Sequence, residues 1–281
     1  MLSFMKSRLF KQLWLVTLLG GVLLFALAEI VLVTTQNALF FPIVILLGAF
    51  TVPVTFVAYF YDYVRDRDIS LPLLSSCFVV GGTIGVIVAG FIEAGTLRNL
   101  DVASLFGVGF IEESAKLIFP IVMFVMWKYR HEADGLLFGV AAGMGFAALE
   151  TMGYAMVELV KSGGSVGTLQ QVLLIRGLVS PSGHAAWTGF VCAVLWRQRQ
   201  KTGKWFGLPV LGAYILAIAL HAVWDIVNSI NVQTVGQYAL SIVLMLALIA
   251  VSLSLVFWRF RRAKAYALSE SKAASTPAAQ V

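Results

Sequence analysis

Apolar residues along this chain gather into long runs separated by short polar stretches, at roughly 13–34, 38–60, 73–97, 102–127, 134–160, 171–196, 208–230 and 237–258. Each run exceeds the ~20 residues that an α-helix, rising 1.5 Å per residue, needs to cross about 30 Å of hydrocarbon. The pattern predicts an all-α, polytopic integral membrane helical bundle of about eight transmembrane helices. The first run follows Lys6 and Arg8; it is longer than a signal-peptide core and has no small-x-small cleavage site, so it is expected to be a retained helix.

Composition agrees with this picture. Hydrophobic residues make up 60% of the 281 and charged residues only 12%, against about 25% charged in soluble domains. A chain so poor in charge leaves its surface to lipid. The formal net charge of +6 sits in short loops, which suits orientation and lipid headgroups and leaves no role for nucleic acid. Sixteen basic residues fall on one side of the alternation: Lys6, Arg8, Lys11, Arg65, Arg67, Lys128, Arg130, Arg197, Arg199, Lys201, Lys204, Arg259, Arg261, Arg262, Lys264 and Lys272. The other side has Arg98 and Lys161, with Arg176 near that edge. The positive-inside rule then places both termini in the cytoplasm. Residues 263–281, rich in Ala, Ser and Lys, read as a disordered cytoplasmic tail. Cys77 and Cys192 both lie in apolar runs, so no disulfide framework and no CxxC metal site is expected.

Five ionisable residues interrupt the runs: Glu112, Glu113, Lys116, Glu150 and Asp225, with His184 and His221 near mid-span. At about 2.5–3.5 kcal/mol for each charge at a helix centre, five such groups cost roughly 12–18 kcal/mol unless they pair. They must face the bundle interior and meet one another or water. Helical spacing pairs Glu112 and Glu113 with Lys116, places Asp225 and then Asn228 on the face of His221, and sets Tyr154 beside Glu150 and Thr188 beside His184. Counted from the span ends, Glu112, Glu113, His184 and His221 all reach mid-membrane, and Glu150 lies somewhat nearer the outer face.

Two histidines and a carboxylate form a standard zinc ligand set with a position left for water. Glu150, His184 and His221 could supply it, with Glu112 or Glu113 as the general base and Asp225 or Asn228 orienting His221 or binding substrate. The same residues also allow a version without metal, in which glutamate and histidine polarise water directly.

Four segments carry a resemblance: Glu112-Glu113-Ser-Ala-Lys116, Gly145-Phe146-Ala-Ala-Leu-Glu150-Thr-Met-Gly-Tyr154, Gly183-His184-Ala-Ala-Trp187-Thr188 and His221-Ala-Val-Trp224-Asp225. In this order, each in its own span, they resemble the PrsW family of intramembrane proteases, which belongs to a wider group with the CAAX prenyl endopeptidases. The resemblance covers roughly residues 40–230, and implies that the transmembrane helical domain expected over residues 1–262 is protease-like and sits in a bacterial cytoplasmic membrane. It implies hydrolysis of a membrane-anchored protein substrate, in characterised members a shortened anti-sigma factor. The catalytic residues would be Glu112, Glu113, His184 and His221, with Lys116, Asp225, Asn228 and Tyr154 supporting them or binding substrate. The chain departs from the prenyl endopeptidase pattern by having Lys116 for an arginine and Glu150 for a histidine.

Two other functions fit parts of the pattern. Pro181-Ser182-Gly183-His184 and His221-x-x-x-Asp225 match pieces of the phosphatidic-acid phosphatase signature, but Tyr214 and Ile215 stand where its serine and arginine belong. Without cations around the phosphoryl oxygens that chemistry fails. A proton- or cation-coupled transporter would also use carboxylates and histidines within the membrane. Among bland roles, Glu29 and Glu93 read as interfacial, the glycines at 81, 82, 85, 139 and 143 as close-packing points, and Trp14, Trp127, Trp196 and Trp258 as an aromatic belt.

Overall fold

The computed structural model describes residues 12–64, 69–97 and 101–275, with side chains as far as 266. Helix α1 spans Leu13–Thr35 and α2 spans Phe41–Val64. Helix α3 (Leu71–Ser76) runs through a π turn at Cys77–Gly81 into α4 (Gly82–Thr96). Next come α5 (Val102–Lys116), α6 (Ile118–Val125) and α7 (Glu132–Lys161). Helix α8 (Val166–Val179) leads through a 3-10 turn at Ser180–Ser182 into α9 (His184–Thr202), followed by α10 (Leu208–Ser229) and α11 (Val235–Ser275). No strand occurs among the described residues.

Seven of these stretches are long and apolar enough to cross a membrane: Leu13–Thr35, Ala38–Val64, Leu71–Thr96, Glu132–Lys161, Val166–Thr202, Leu208–Ser229 and Val235–Tyr266. The chain is a polytopic helical membrane protein. The run at 102–127, expected as a single span, folds instead as α5 followed by α6, each short. Pro120 accounts for the break: it has no N–H to bond the carbonyl of Lys116, and its ring crowds that carbonyl. The helix accordingly ends at Lys116.

The sixth span is interrupted in the same way. Pro181 cannot bond the carbonyl of Gly177, and the Ser180 hydroxyl donates to that carbonyl instead at 3.0 Å. Ser182 donates to the carbonyl of Val179 at 2.6 Å. Freed carbonyls at membrane depth need such partners. The break delivers His184 as the first residue of α9.

Helix α7 is the axis of the bundle and is buried on nearly every side. Its glycines make this possible. A Cβ at Gly135, Gly139 or Gly143 would collide with Trp196 and Cys192, with Thr188 and Gly189, or with the His184 carbonyl and Ala185, all on α9. On another face Gly145 lies against Phe78, and Gly82 of α4 against the backbone at Gly145 and Phe146. Small residues at this spacing let backbones approach closely where no hydrophobic force drives helices together. At one end of α7, Glu132 meets Arg197 at 2.6 Å and Arg259 at 3.4 Å, joining α7, α9 and α11. Arg199 donates to the carbonyls of Phe124 and Tyr129, closing the end of α6. Trp187 Nε1 donates to Ser252 Oγ at 2.9 Å and ties α9 to α11.

Two sequence expectations change, and a third falls partly outside the described residues. Trp196 is fully buried and donates to the Tyr129 carbonyl at 3.0 Å, so it belongs to the core and not to an aromatic belt. Helix α11 continues to Ser275, past residue 263 where the tail was expected to begin. Lys6, Arg8, Lys11, Arg65, Arg67 and Arg98, on which much of the orientation argument rests, lie outside the described residues, as do 276–281.

Candidate active site

The pairing that spacing predicts on α5 is present. Lys116 Nζ is 3.0 Å from Glu112 Oε2 and 2.8 Å from Glu113 Oε1, with its side chain wholly buried. It also lies 4.3 Å above the ring of Phe146 on α7. The two glutamates differ in their surroundings. Glu113 is 1% exposed and has three partners: Lys116, Thr188 Oγ1 at 3.2 Å and His221 Nδ1 at 3.0 Å. Glu112 reaches the wall of a cavity. His221 stands between them, with Nε2 at 3.5 Å from both Glu112 Oε2 and Asp225 Oδ2.

A second cluster forms where α7, α8 and α9 meet. Gly143 brings the backbones of α7 and α9 together, and Glu150, two turns further along α7, then reaches His184. His184 Nε2 is 3.2 Å from Glu150 Oε2, and the same oxygen is 2.8 Å from an Nη of Arg176. The His184 ring stacks on Phe146 at 5.6 Å and stands edge-on to His221 at 6.0 Å. Trp187 lies against His221 at 4.9 Å between ring centres. Two aromatic side chains thus set the planes of both imidazoles.

Both clusters border one cavity of about 480 Å³. Glu112, Glu150, Tyr154, His184, His221, Asp225 and Asn228 all line it. Glu113 and Lys116 sit one layer behind. Asn228 bonds the Trp224 carbonyl of its own helix at 2.9 Å and does not orient His221. Tyr154 carries the guanidinium of Arg176 on its ring at 3.9 Å.

The family model described as PrsW family intramembrane metalloprotease matches residues 70–252, well over half of the chain and all of this site. The chain belongs to the PrsW family. No curated protein and no solved structure matches it. The PrsW assignment makes the chain a membrane-embedded peptidase whose substrate is a membrane protein. It displaces the lipid phosphatase and transporter readings. The cavity gives a physical reason against phosphate as well, since among the described residues Glu93, Glu112, Glu150 and Asp225 face it against a single arginine.

The family description implies a metal. The donor types are suitable: His184 Nδ1 is buried with no partner, and Glu113 holds His221 by Nδ1 as carboxylates commonly hold ligating imidazoles. The donors do not close on a common point, however. Among the described residues no three His, Cys, Asp or Glu side chains group as a metal site. The expected trio of Glu150, His184 and His221 is divided, with His184 on Glu150 and His221 on Glu113. Lys116 already supplies the cation between Glu112 and Glu113. As placed, the residues do not fit a bound metal, and no step below passes through one.

Two residues of the cavity wall were not expected from sequence. Glu93, read as interfacial, lines the cavity and has a buried Oε1 with no partner. Arg176, read as lying near a span edge, sits well inside Val166–Thr202 because the sixth span is longer than its apolar core. Its signal was a lone arginine two helical turns before His184 in a chain that, Lys116 aside, keeps its basic residues in loops and at span ends.

Proposed function

We propose that this PrsW-family peptidase cleaves its substrate with Glu112 as the general base, and that Glu113 acts through His221. The observation that carries this reading is the difference between neighbours. Glu113 is sealed behind the cavity with its oxygens engaged by Lys116, Thr188 and His221, while Glu112 reaches the cavity wall. A base must touch the water it activates. His221, fixed by Glu113 at Nδ1, presents Nε2 on the side of Glu112, so that a water molecule is gripped between the two. Glu112 takes its proton as oxygen attacks the scissile carbonyl carbon, and returns that proton to the leaving amine. His184, fixed by Glu150 at Nε2, keeps Nδ1 for the substrate backbone. Zinc held by Glu150, His184 and His221 would require these pairs to open; metal analysis of purified wild type against His184→Ala and His221→Ala measures that.

The finer substrate reading, a shortened anti-sigma factor in a bacterial cytoplasmic membrane, rests on the family resemblance. The test of the mechanism is cleavage of a single-span reporter by purified protein in lipid vesicles. Glu112→Gln should lower turnover by about 10²–10⁴-fold, the usual worth of a general base, with reporter binding retained. Glu112→Gln turnover within tenfold of wild type would refute the assignment.

A further inference from the structure

The proposed reaction creates a negative charge that nothing described so far stabilises. As water adds to the scissile carbonyl, the C=O electron pair moves to oxygen, and that oxyanion forms in a cavity faced by Glu93, Glu112, Glu150 and Asp225. Carboxylates repel it. Lys116 lies behind the wall with its ammonium engaged by Glu112 and Glu113. Among the described residues that line the cavity, Arg176 is the one lysine or arginine.

Its setting is that of a fixed electrophile. An Nη of Arg176 is held by Glu150 Oε2 at 2.8 Å, and the guanidinium plane rests 3.9 Å above Tyr154. These contacts fix the side chain before substrate arrives. The Nε–H is nevertheless buried with no partner in the protein. An unsatisfied buried donor is costly and uncommon, and calls for an explanation such as a catalytic role. The cavity also draws its polar groups from different helices: Glu112 and His221, which handle the water, stand on α5 and α10, while Arg176 stands on α8 beside α7. A peptide group lying between them meets water on one side and a cation on the other.

We infer that Arg176 is a catalytic residue, whose guanidinium polarises the scissile carbonyl and holds the oxyanion of the tetrahedral intermediate. The balance is complete. Water oxygen bonds to carbon and its proton goes to Glu112. The oxyanion sits on Arg176 until the carbonyl re-forms, the C–N bond breaks, and the Glu112 proton passes to the amine. Arg176 gives up no proton. Preorganised donors of this kind act on the transition state and leave ground-state binding little changed.

The inference rests on the peptidase mechanism above, and the experiment separates the two. Full-length protein in lipid vesicles cleaves the single-span reporter, and kcat and KM are measured for wild type, Glu112→Gln, Arg176→Gln, Arg176→Lys and Arg176→Ala. Arg176→Gln should lower kcat by about 10²–10³-fold with KM within about threefold. Arg176→Lys, which keeps the charge but loses the planar fork, should fall about tenfold or more. Guanidinium ion at millimolar concentration should restore part of the Arg176→Ala turnover and none of the Glu112→Gln turnover. A role limited to holding Glu150 would not confine the loss to kcat with KM unchanged, nor make the planar fork matter beyond the charge that Arg176→Lys keeps. Arg176→Gln with kcat near wild type beside an inactive Glu112→Gln would overturn the role of Arg176 and leave the mechanism standing. A fully active Glu112→Gln would overturn both. If Arg176→Gln fails to accumulate in the membrane, the lysine variant decides, and unchanged kcat there overturns the inference.

Discussion

Replacing Lys116 by methionine keeps most of the length of the side chain, one heavy atom fewer, and deletes its charge, leaving Glu112 and Glu113 adjacent and buried without their shared cation. With Nζ 3.0 and 2.8 Å from the two carboxylates, each contact is worth about 5.5–6 kcal/mol of Coulomb attraction at an effective dielectric of about 20. That gross value is not the net loss, because removing the ammonium also removes the cost of burying it. Breaking a buried pair on one side costs about 3–5 kcal/mol, much of it the stranded opposite charge. This is a large share of the ~5–15 kcal/mol that holds a typical protein folded. Unfolding followed in detergent micelles should show this loss for Lys116→Met. Adding Glu113→Gln should then recover at least about 1.5 kcal/mol, since neighbours in one network couple by about 0.5–3 kcal/mol. A single variant within about 1 kcal/mol of wild type, with strictly additive effects in the double variant, would show that Lys116 is not the counter-ion that stabilises the glutamates.

Other outcomes follow from the packing and the helix ends. Gly145→Ala drives a methyl group into the Phe78 carbonyl and should cost about 3 kcal/mol or more, read as loss of folded protein on size-exclusion of detergent extracts. Trp187→Phe leaves Ser252 without its donor and should cost about 1 kcal/mol in the same unfolding assay, with a compensating Ser252→Ala bringing no further loss. Asp101 caps α5 by accepting from Ser104, contacts that hold its carboxyl below the usual 3.8. Its folded value is depressed, so the capping contribution is present above pH ~3.8 and is lost as pH falls through the lower folded value. Faster amide exchange at Ser104 in Asp101→Ala than in wild type at neutral pH, with the difference vanishing in strong acid, is the expected result.

Much of this arrangement could be read from residue types alone, because the cost of charge in hydrocarbon is so large. Glu112, Glu113, Lys116, Glu150, His184 and His221 had to turn inward, and helical spacing was enough to pair Lys116 with both glutamates. What spacing could not supply was the partner across helices. His221 shares a face with Asp225, yet its closest carboxylate is Glu113, 108 positions earlier in the chain. Asn228 shares that face too and spends its amide on its own backbone. The interruptions were marked by Pro120 and Pro181 but masked by the hydropathy around them, since an apolar run reads as continuous whether or not its backbone is. Glu93 and Arg176 were missed because each lies near the edge of its apolar run, where an ionisable group is least conspicuous, although the cavity reaches both.

The central position of α7 bears on how this protein can diverge. A helix that meets lipid can exchange one aliphatic side chain for another with little effect, as α1 can along most of its length, which is largely exposed. Helix α7 is buried along most of its length and meets neighbours on several sides through glycine and alanine. Almost any enlargement there shifts a backbone, and the nearest backbone to Gly143 is the one that carries His184. Drift should therefore accumulate on the lipid-facing helices and be nearly forbidden along α7, including at glycines that never touch substrate.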